Sequence, residues 1–396
     1  MILASRISKL NPSYTMQMAA TASRMREEGI DVIDFSVGEP DVPTAKHICN
    51  AAITAIDSGF TKYTTVSGIP ELKTAIKEKV KRDNNIEIET DQILVSNGGK
   101  QSLYLACQSL FEKGDEVLLF SPFWVSYPEI VKLTDAHPVI IDTRPENNFE
   151  PNFKVFSNKM SLKVKGVIIN SPSNPTGAVW SEKAVKNILK LAKEKDWVVF
   201  SDECYEQLVY EKPFKSIESL NEYNAEVITF MTLSKSYAMT GWRVGYTFGN
   251  PKLIKAMSKL QGQETSCVNS IAQKAAVEAL AGDQSFMIEM KKVFKKRRDL
   301  MLSLLDDIPG VSCTTPHGAF YAFPDFSEYL GVRFNGEILN TSTQLAQFIL
   351  ENSKVVTVPG DGFGAPGYIR FSYAVSSDFI EEGMKRVKQA LQKLKY

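Results

Sequence analysis

The chain has 396 residues, 43% of them hydrophobic and 23% charged, which is the usual balance of a globular protein with one large domain or two. Basic and acidic side chains number 46 each, so the net charge is zero. This disfavours a protein that binds nucleic acids or membrane surfaces, because such proteins usually carry an excess of basic residues. The five cysteines are scattered, which predicts buried thiols, and the three histidines are far apart, which predicts no metal site. The apolar runs are too short to span a membrane. The N-terminus lacks the apolar core of a signal peptide, so we expect a cytoplasmic location.

Hydrophobic periodicity divides the first 250 residues into alternating helices and short strands. An amphipathic helix is predicted over 13–28, followed by a strand over 31–37 that runs into the turn Gly38-Glu39-Pro40-Asp41. Further helices are predicted over 44–57, 70–82, 99–111, 125–134 and 181–195, and strands over 92–96, 116–120, 138–141, 166–170, 197–201, 227–231 and 244–249. Because these strands are short, continuously apolar and separated by helices, they predict an α/β fold with a mostly parallel sheet covered on both faces.

The composition changes after residue 250. Three helices are predicted over 251–261, 268–281 and 284–306, and a mixed tail follows with strands over 319–323, 355–358 and 368–374 and helices over 341–352 and 377–394. We therefore expect a large domain over 46–285 and a smaller α+β domain over 286–396, which the N-terminal segment 1–45 joins.

The stretch from Glu226 to Tyr246 carries the strongest chemical signal. A buried apolar strand ends in Thr232, Ser234 and Lys235, and Arg243 follows eight residues after the lysine. A lysine at the rim of a sheet can lose its proton and form a Schiff base, and the hydroxyls and the arginine suit a phosphate monoester. Pyridoxal phosphate needs this combination of an amine and a phosphate cradle. The alternative is a polar loop with solvated charges.

Four other polar motifs follow predicted strands, where ligands bind in open parallel sheets. Each also has a purely structural interpretation, such as a turn, a helix cap or core packing. They are the phosphate-binding candidate 97–101 at a helix start, the loop 170–177 with Asn174, the carboxylate pair Asp202 and Glu203, and the aromatic segment 122–124. The segment 362–367 matches G-x-G-x-x-G, but a strand rather than a helix follows it, so it does not predict a dinucleotide site.

Together these motifs resemble the signatures of fold-type-I pyridoxal-phosphate aminotransferases, in the same order and spacing and over essentially the whole chain. The motifs are Thr232–Arg243, Asn174–Gly177, Ser201–Tyr205 and Tyr368–Tyr373. The segments 96–101 and 121–128 are similar to the bacterial-type aspartate aminotransferases. The resemblance implies a seven-stranded, mostly parallel sheet in the large domain, pyridoxal phosphate as cofactor and a ping-pong exchange between amino acids and 2-oxo acids.

The resemblance also implies a role for each matching residue around the cofactor ring. Lys235 would form the Schiff base and later move the proton of the substrate α-carbon. Asp202 would pair with the ring nitrogen, Asn174 and Tyr205 would bind the ring oxygen O3′, and Trp124 would stack on the ring.

The phosphate and the substrate would be bound by further matching residues. The phosphate would lie against Gly99, Lys100, Thr232, Ser234 and Arg243, and Tyr63 would reach it from the neighbouring subunit, which implies a homodimer with shared active sites. Arg370 would bind the substrate α-carboxylate as a bidentate fork, and Lys100 would bind a distal carboxylate. The substrate would also be bordered by Gly38, Trp124, Asn174 and Thr15.

The resemblance leaves several activities open. An aspartate aminotransferase is the first hypothesis, and an aspartate or glutamate–prephenate aminotransferase or a bifunctional enzyme is the second. Thr15 and Lys100 agree with the prephenate relatives, whereas Asn11 stands where they often have lysine. A β-lyase or decarboxylase is a further alternative, disfavoured by the two-carboxylate clamp. A transcription regulator would need a DNA-binding module, and we expect none before Ser13 or after Tyr396.

Overall fold

The structure is a computed structural model that describes residues 1, 3–12, 14–153 and 161–394. The strands, numbered along the chain, are β1 Ile33–Asp34, β2 Ile93–Ser96, β3 Glu116–Ser121, β4 His137–Asp142, β5 Val164–Asn170, β6 Val198–Asp202, β7 Glu226–Thr232, β8 Gly245–Phe248, β9 Tyr321–Ala322, β10 Arg333–Phe334, β11 Glu337–Ile338, β12 Val355–Val356, β13 Val358–Pro359 and β14 Ile369–Ser372. The helices are α1 Tyr14–Glu27, α2 Lys46–Asp57, α3 Pro70–Asn84, α4 Gly99–Leu110, α5 Ser126–Lys132, α6 Glu182–Lys195, α7 Leu233–Ser236, α8 Pro251–Glu264, α9 Ser270–Ala281, α10 Ser285–Asp306, α11 Ser342–Ser353 and α12 Ser377–Leu391.

Seven strands form the central sheet in the order β2-β8-β7-β6-β5-β3-β4. Strand β8 is antiparallel to both of its neighbours, and the other neighbouring pairs are parallel. The predicted α/β class and the mostly parallel sheet are therefore confirmed. The register aligns Asn170 of β5 with Asp202 of β6, so two polar side chains from predicted motifs meet at the carboxyl ends of adjacent strands.

Successive residues of each strand point to opposite sides of the sheet, and helices cover both sides, so the sheet is buried on both faces. On one face Val167, Ile169 and Val199 pack against the apolar stripe of α6, which contains Ala184, Val185, Ile188, Leu189 and Ala192. On the other face Ile168 and Phe200 pack against residues of α4 and α8. Full burial of each such aliphatic side chain stabilises the fold by about 1.5–3 kcal/mol, so these strands are apolar on both faces.

A smaller α+β layer is built from the C-terminal part of the chain. Its antiparallel sheet has the order β13-β14-β9, and it packs with α10, α11 and α12 around one apolar cluster. Strand β1 pairs in parallel with β12, with Ile33 opposite Val355. The N-terminal segment thus joins this layer through main-chain hydrogen bonds.

Most predicted elements are found within a few residues of their expected bounds, and three strands are shorter for local reasons. The strand predicted over 31–37 is reduced to β1. The N–H of Phe35 still donates to the carbonyl of Val356, but the N–H and the hydroxyl of Ser36 donate to the Asp34 carboxylate instead of to another strand. The strand predicted over 319–323 is reduced to β9, preceded by Ala319 at a φ of 57°. The strand predicted over 355–358 is split into β12, which pairs with β1, and β13, which pairs with β14.

Within the described residues, no helix has both the length and the apolar character needed to cross a membrane.

Candidate active site

A cavity of about 630 Å³ opens at the carboxyl ends of β5, β6 and β7, between the large sheet and the smaller layer. Twelve of the residues singled out from the sequence line it: Gly38, Gly99, Lys100, Trp124, Asn174, Asp202, Tyr205, Thr232, Ser234, Lys235, Arg243 and Arg370. They come from eight separate segments of the chain, so the fold brings together what the sequence separates by more than 300 residues.

Lys235 is held in the short helix α7 directly after β7. Thr232 caps this helix, since its hydroxyl accepts a hydrogen bond from the N–H of Ser234 at 3.2 Å. The Lys235 ammonium donates to the carbonyl of Gly38 at 2.6 Å. Burial lowers the pKa of Lys235, opposed by the nearby Cys204 and Glu39. A partly buried lysine with a lowered pKa is more readily available as a neutral nucleophilic amine.

Asp202 ends β6 and faces the cavity as a buried carboxylate. Its Oδ2 accepts from the Tyr127 hydroxyl at 2.6 Å and its Oδ1 accepts from the N–H of Cys204 at 3.3 Å. Burial raises the pKa of Asp202, while the hydrogen bonds from Tyr127 and Cys204 lower it. These donors hold the carboxylate in one orientation, which suits it to pair with a cationic N–H group.

Arg370 is 1% exposed, and among the described residues no acidic side chain forms an ion pair with its guanidinium. It donates to Oδ1 of Asn174 and to the carbonyl of Ser36, both at 2.9 Å, while its Nε has no hydrogen-bond partner in the described part of the chain. Burial lowers the pKa of Arg370 from its high ordinary value. A buried cation with an unused donor is suited to a carboxylate ligand, because burial without one is costly.

A cradle for an anion lies at the start of α4. Its N-terminal residues Gly99 and Lys100 border the cavity beside Thr232 and Arg243. A Cβ at Gly98, which has a φ of 80°, would lie 2.5 Å from the Arg243 guanidinium, so the close approach of backbone and arginine requires glycine. The Thr232 and Ser234 hydroxyls, 2.9 Å apart, add hydrogen-bonding groups. Helix N–H groups, hydroxyls and an arginine match the needs of a phosphate dianion.

Trp124 and Lys100 form another wall of the cavity. The Lys100 ammonium lies 4.9 Å from the centroid of the Trp124 ring, and the ring meets Tyr127 edge to face at 5.3 Å. Burial, and then the Arg243 cation, lower the pKa of Lys100. Lys100 is thus a further cation of the cavity, besides Arg243, and it comes from a different element than Arg370.

Two of the predicted site residues are not among those that line the cavity. The Tyr63 side chain is 90% exposed. The predicted contact of Thr15 concerns a side chain outside the described part of the structure. Both expectations therefore stay predictions.

Sequence reasoning missed several polar residues of the cavity. Tyr127 lies in the segment 121–128, which was noted only for its similarity to the bacterial-type aspartate aminotransferases, and its bond to Asp202 depends on a contact 75 residues away. Tyr321 lies in a predicted strand, and its hydroxyl is 3.0 Å from that of Tyr205. A polar tip on an otherwise apolar strand is the one signal that could have found it.

Residues 30–387 match the family described as "Aminotransferase class I and II". The chain belongs to this family. The resemblance predicted from its motifs is thereby confirmed. Among curated relatives of this aminotransferase, a probable aspartate/prephenate aminotransferase of Aquifex aeolicus is 42% identical over 397 residues and covers 99% of both chains. The aspartate aminotransferase of Bacillus subtilis is 40% identical over 395 residues, 99% of this chain and 100% of its own.

Solved structures of family members agree. The aspartate aminotransferase from Thermus thermophilus with maleate superposes with a TM-score of 0.93 at 35% identity, over 99% of this chain and 100% of its own. The aspartate aminotransferase from Rhizobium meliloti superposes with a TM-score of 0.94 at 38% identity, over the full length of both chains. The fold is therefore that of the fold-type-I aminotransferases.

Proposed function

We propose that this aminotransferase is a pyridoxal-phosphate-dependent aspartate aminotransferase, which exchanges the amino group between L-aspartate and 2-oxoglutarate by a ping-pong mechanism. One observation carries the proposal: a single cavity combines the partly buried amine of Lys235 with two cations on different elements, Arg370 and Lys100. An amine with a cation for each of two carboxylates fits a dicarboxylic amino acid. The names of the Bacillus and Thermus relatives support the same activity.

The residues of the cavity fit pyridoxal phosphate. The cradle of Gly99, Lys100, Thr232, Ser234 and Arg243 would hold the phosphate, and the close fit of Gly98 against the arginine supports this use. Asp202 would pair with the ring nitrogen, Asn174 and Tyr205 would bind O3′, and Trp124 would stack on the ring. When bound, the cofactor supplies an aldehyde for the amine and an electron-withdrawing ring that acidifies the substrate α-carbon.

The chain's own residues provide binding and proton transfer. Arg370 would hold the α-carboxylate by its fork, and Lys100 the distal carboxylate. Lys235 would then take the proton from the α-carbon and return it, since its lowered pKa makes the neutral, basic form of the amine more accessible. The Gly38 carbonyl, which accepts from Lys235, lies in the N-terminal segment and would border the substrate.

Prephenate as amino acceptor is the second candidate, because the Aquifex relative is named for aspartate and prephenate. In this chain Asn11, at the position where such relatives often have lysine, donates its main-chain N–H and its amide group to Glu129, at 2.9 and 3.2 Å. Its side chain is thus engaged by a carboxylate of its own protein. This contact favours 2-oxoglutarate over prephenate as the amino acceptor.

We further propose a cytoplasmic homodimer that works in amino-acid biosynthesis. Three exposed side chains support a shared surface in the segment 53–63: Ile53 and Ile56 of α2, each 53% exposed, and Tyr63, which would reach the partner's phosphate. Within each subunit we propose a large domain over 46–285 and a small domain over 286–396, completed by the segment 1–45.

A panel of half-reactions tests the activity. The absorbance of the cofactor bound to purified protein is followed as aspartate, glutamate, alanine, cystathionine and arogenate are added one at a time. Conversion by aspartate and glutamate alone supports the proposal, whereas equal or faster conversion by arogenate assigns the enzyme to prephenate. The proposal is overturned if protein supplied with cofactor shows no absorbance band that the substitution Lys235→Ala removes.

Removal of the Lys100 ammonium tests the substrate class. Because a hydrogen bond between charged groups contributes about 1.5–3 kcal/mol, Lys100→Ala is expected to lower kcat/KM for aspartate about 10- to 100-fold and to change that for alanine or phenylalanine by less than about threefold. Lys113→Ala, at an exposed lysine after α4, is the matched control. An equal loss for all amino acids would remove the distal-carboxylate role.

A further inference from the structure

Tyr321 lies between the two halves of the site. It belongs to β9 of the smaller layer, is 1% exposed and lines the cavity. Its hydroxyl is 3.0 Å from that of Tyr205, which follows the large-sheet strand β6. The guanidinium of Arg370 lies over its ring, 4.4 Å from the centroid. One side chain therefore contacts both a residue proposed to bind the cofactor and the residue proposed to bind the substrate.

The position of Tyr321 is fixed by its neighbours. In β9 it is paired with Ser372 of β14, the strand that also carries Arg370. Its ring meets that of Tyr205 almost at a right angle, at 83° and 5.9 Å. Both phenols are thus packed in place, and neither can leave the contact without disturbing the wall of the cavity.

A hydroxyl has one proton to donate, so only one of the two phenols donates in the contact between them. The Arg370 cation lies over the Tyr321 ring, where it favours negative charge on that phenol and makes its hydroxyl the better donor. Burial raises the pKa of Tyr321, and the Arg370 cation opposes this. If Tyr321 donates, the Tyr205 oxygen accepts and the Tyr205 proton is free for a third group.

We propose that Tyr321 is a positioning residue with two separable roles. Its hydroxyl, by donating to Tyr205, directs the Tyr205 proton to the cofactor oxygen, and its ring holds the Arg370 fork for the substrate carboxylate. The proposal rests on the proposed function, since it assumes that the cofactor binds beside Tyr205. A hydroxyl that accepts one hydrogen bond becomes a stronger donor in the next. The bond from Tyr321 therefore makes Tyr205 a stronger donor, which stabilises negative charge on the cofactor oxygen.

Two substitutions in the cofactor-loaded enzyme separate the roles. Tyr321→Phe removes the hydroxyl and keeps the ring, whereas Tyr321→Leu removes both. The first measurement is the pKa at which the visible absorbance of the Lys235-bound cofactor titrates. The second is the Kd of maleate, a dicarboxylate without an amino group, at a pH where all variants have the same absorbance form.

The hydroxyl role predicts a rise of about 0.3 to 1 unit in the spectroscopic pKa for both variants, the size expected for one weakened hydrogen bond. The ring role predicts maleate affinity within about twofold of wild type for Tyr321→Phe and about five- to thirtyfold weaker for Tyr321→Leu, the range of a desolvated cation–π contact. Tyr329→Phe is the matched control, since this buried phenol of the same layer donates to the Pro309 carbonyl and does not line the cavity.

The outcomes are distinct. An unchanged or lowered spectroscopic pKa in Tyr321→Phe overturns the hydroxyl role, because it would mean that Tyr205 donates to Tyr321. Equal loss of maleate affinity in both variants overturns the ring role. If the wild-type protein shows no Lys235-dependent absorbance, the proposed function itself fails, and that result is recognised before any variant is measured.

Discussion

Arg370 is a buried cation without an acidic partner in the described part of the chain, which indicates that it binds an anionic ligand. It lies between the rings of Tyr321 and Phe363, at 4.4 and 5.2 Å, and its two terminal nitrogens already donate to Asn174 and Ser36. These contacts fix the plane of the guanidinium rather than neutralise its charge. Such preorganisation would lower the cost of binding the proposed substrate carboxylate, because the guanidinium is already held in one plane before the substrate binds.

Substitution Arg370→Lys is expected to raise KM for both aspartate and 2-oxoglutarate by about 100-fold, because a lysine keeps the charge but loses the fork and the stacking. Steady-state kinetics with each substrate measures this. The absorbance of the bound cofactor should stay that of the wild type, which shows that the site is otherwise intact. A lysine variant with an unchanged KM would contradict the assignment of Arg370 to the α-carboxylate.

The burial of Glu203 is expected to make the free energy of unfolding depend on pH. It is 0% exposed, and one carboxyl oxygen accepts from Ser201, Ser216 and the N–H of Ile217, at 2.7 to 2.9 Å. Burial raises the pKa of Glu203 to about 7 from an ordinary value of 4.5. The folded protein therefore binds this proton more tightly than the unfolded chain, so the contribution to stability falls as pH rises from about 4.5 to 7.

Glu203→Gln removes this titration. The free energy of unfolding of the variant, relative to wild type, should rise by up to about 3 kcal/mol between pH 5 and pH 8. Urea unfolding of both proteins at four pH values measures the difference. Glu218, whose pKa burial also raises to about 7, titrates in both proteins and cancels. A difference that is constant with pH would show that Glu203 is ionised throughout.

At the scale of the element, the short strand β1 positions Arg370, the residue proposed to bind the substrate α-carboxylate. Its Asp34 accepts from the N–H and the hydroxyl of Ser36, at 2.9 and 2.6 Å, and the carbonyl of Ser36 accepts from Arg370. Arg26 of α1 donates to the other oxygen of Asp34 at 3.3 Å. The N-terminal segment is thus tied to Arg370 through a chain of hydrogen bonds.

Asp34→Ala is expected to raise KM for aspartate about tenfold with kcat changed less than about threefold, because the Ser36 turn loses two hydrogen bonds of about 1 kcal/mol each. Asp34→Asn, which keeps an acceptor oxygen, is the control and should raise KM less. The split between KM and kcat comes from steady-state kinetics at saturating 2-oxoglutarate. Parallel losses in kcat would point to a general loss of structure instead.

The same element shows where sequence reasoning is limited. The large-sheet strands were predictable because burial on both faces requires continuous apolar runs, as in Val117–Phe120. The motif residues Lys235, Asp202 and Asn174 could be placed at strand ends for the same reason. Strand β1 could not be bounded, because the Asp34 side chain competes with the ladder, and this competition is visible only in three dimensions.

For the molecule as a whole, the contacts between elements that are far apart in sequence were the least predictable. The bond between Tyr127 and Asp202 and the bond between Tyr205 and Tyr321 link residues 75 and 116 positions apart. Neither has a periodicity or spacing signal, because a hydrogen bond between two tertiary neighbours needs only that their elements meet. Chemistry carried by one segment can thus be recognised from sequence, whereas the residues that tune it require the fold.

The largest scale is that of the proposed dimer, and Tyr63 provides its test. Since its side chain is 90% exposed and is not among the residues that line the cavity, a role for it at the phosphate requires the partner subunit. Lys235→Ala and Tyr63→Ala proteins, each purified alone, are unfolded together and refolded as a mixture at limiting cofactor. In a mixed dimer, the site that retains Lys235 receives Tyr63 from the other subunit.

Random assembly is expected to restore about a quarter of the wild-type sites, because about half of the dimers are mixed and each has one complete site. The specific activity of the mixture at limiting cofactor measures this. In the control mixture of Lys235→Ala with Lys113→Ala about half of the sites should be complete, because the Lys113→Ala homodimers are active as well. If Tyr63 acts within its own subunit or not at all, mixing adds nothing to the mean of the separate proteins. Restored activity thus requires both a dimer and a site that two chains complete.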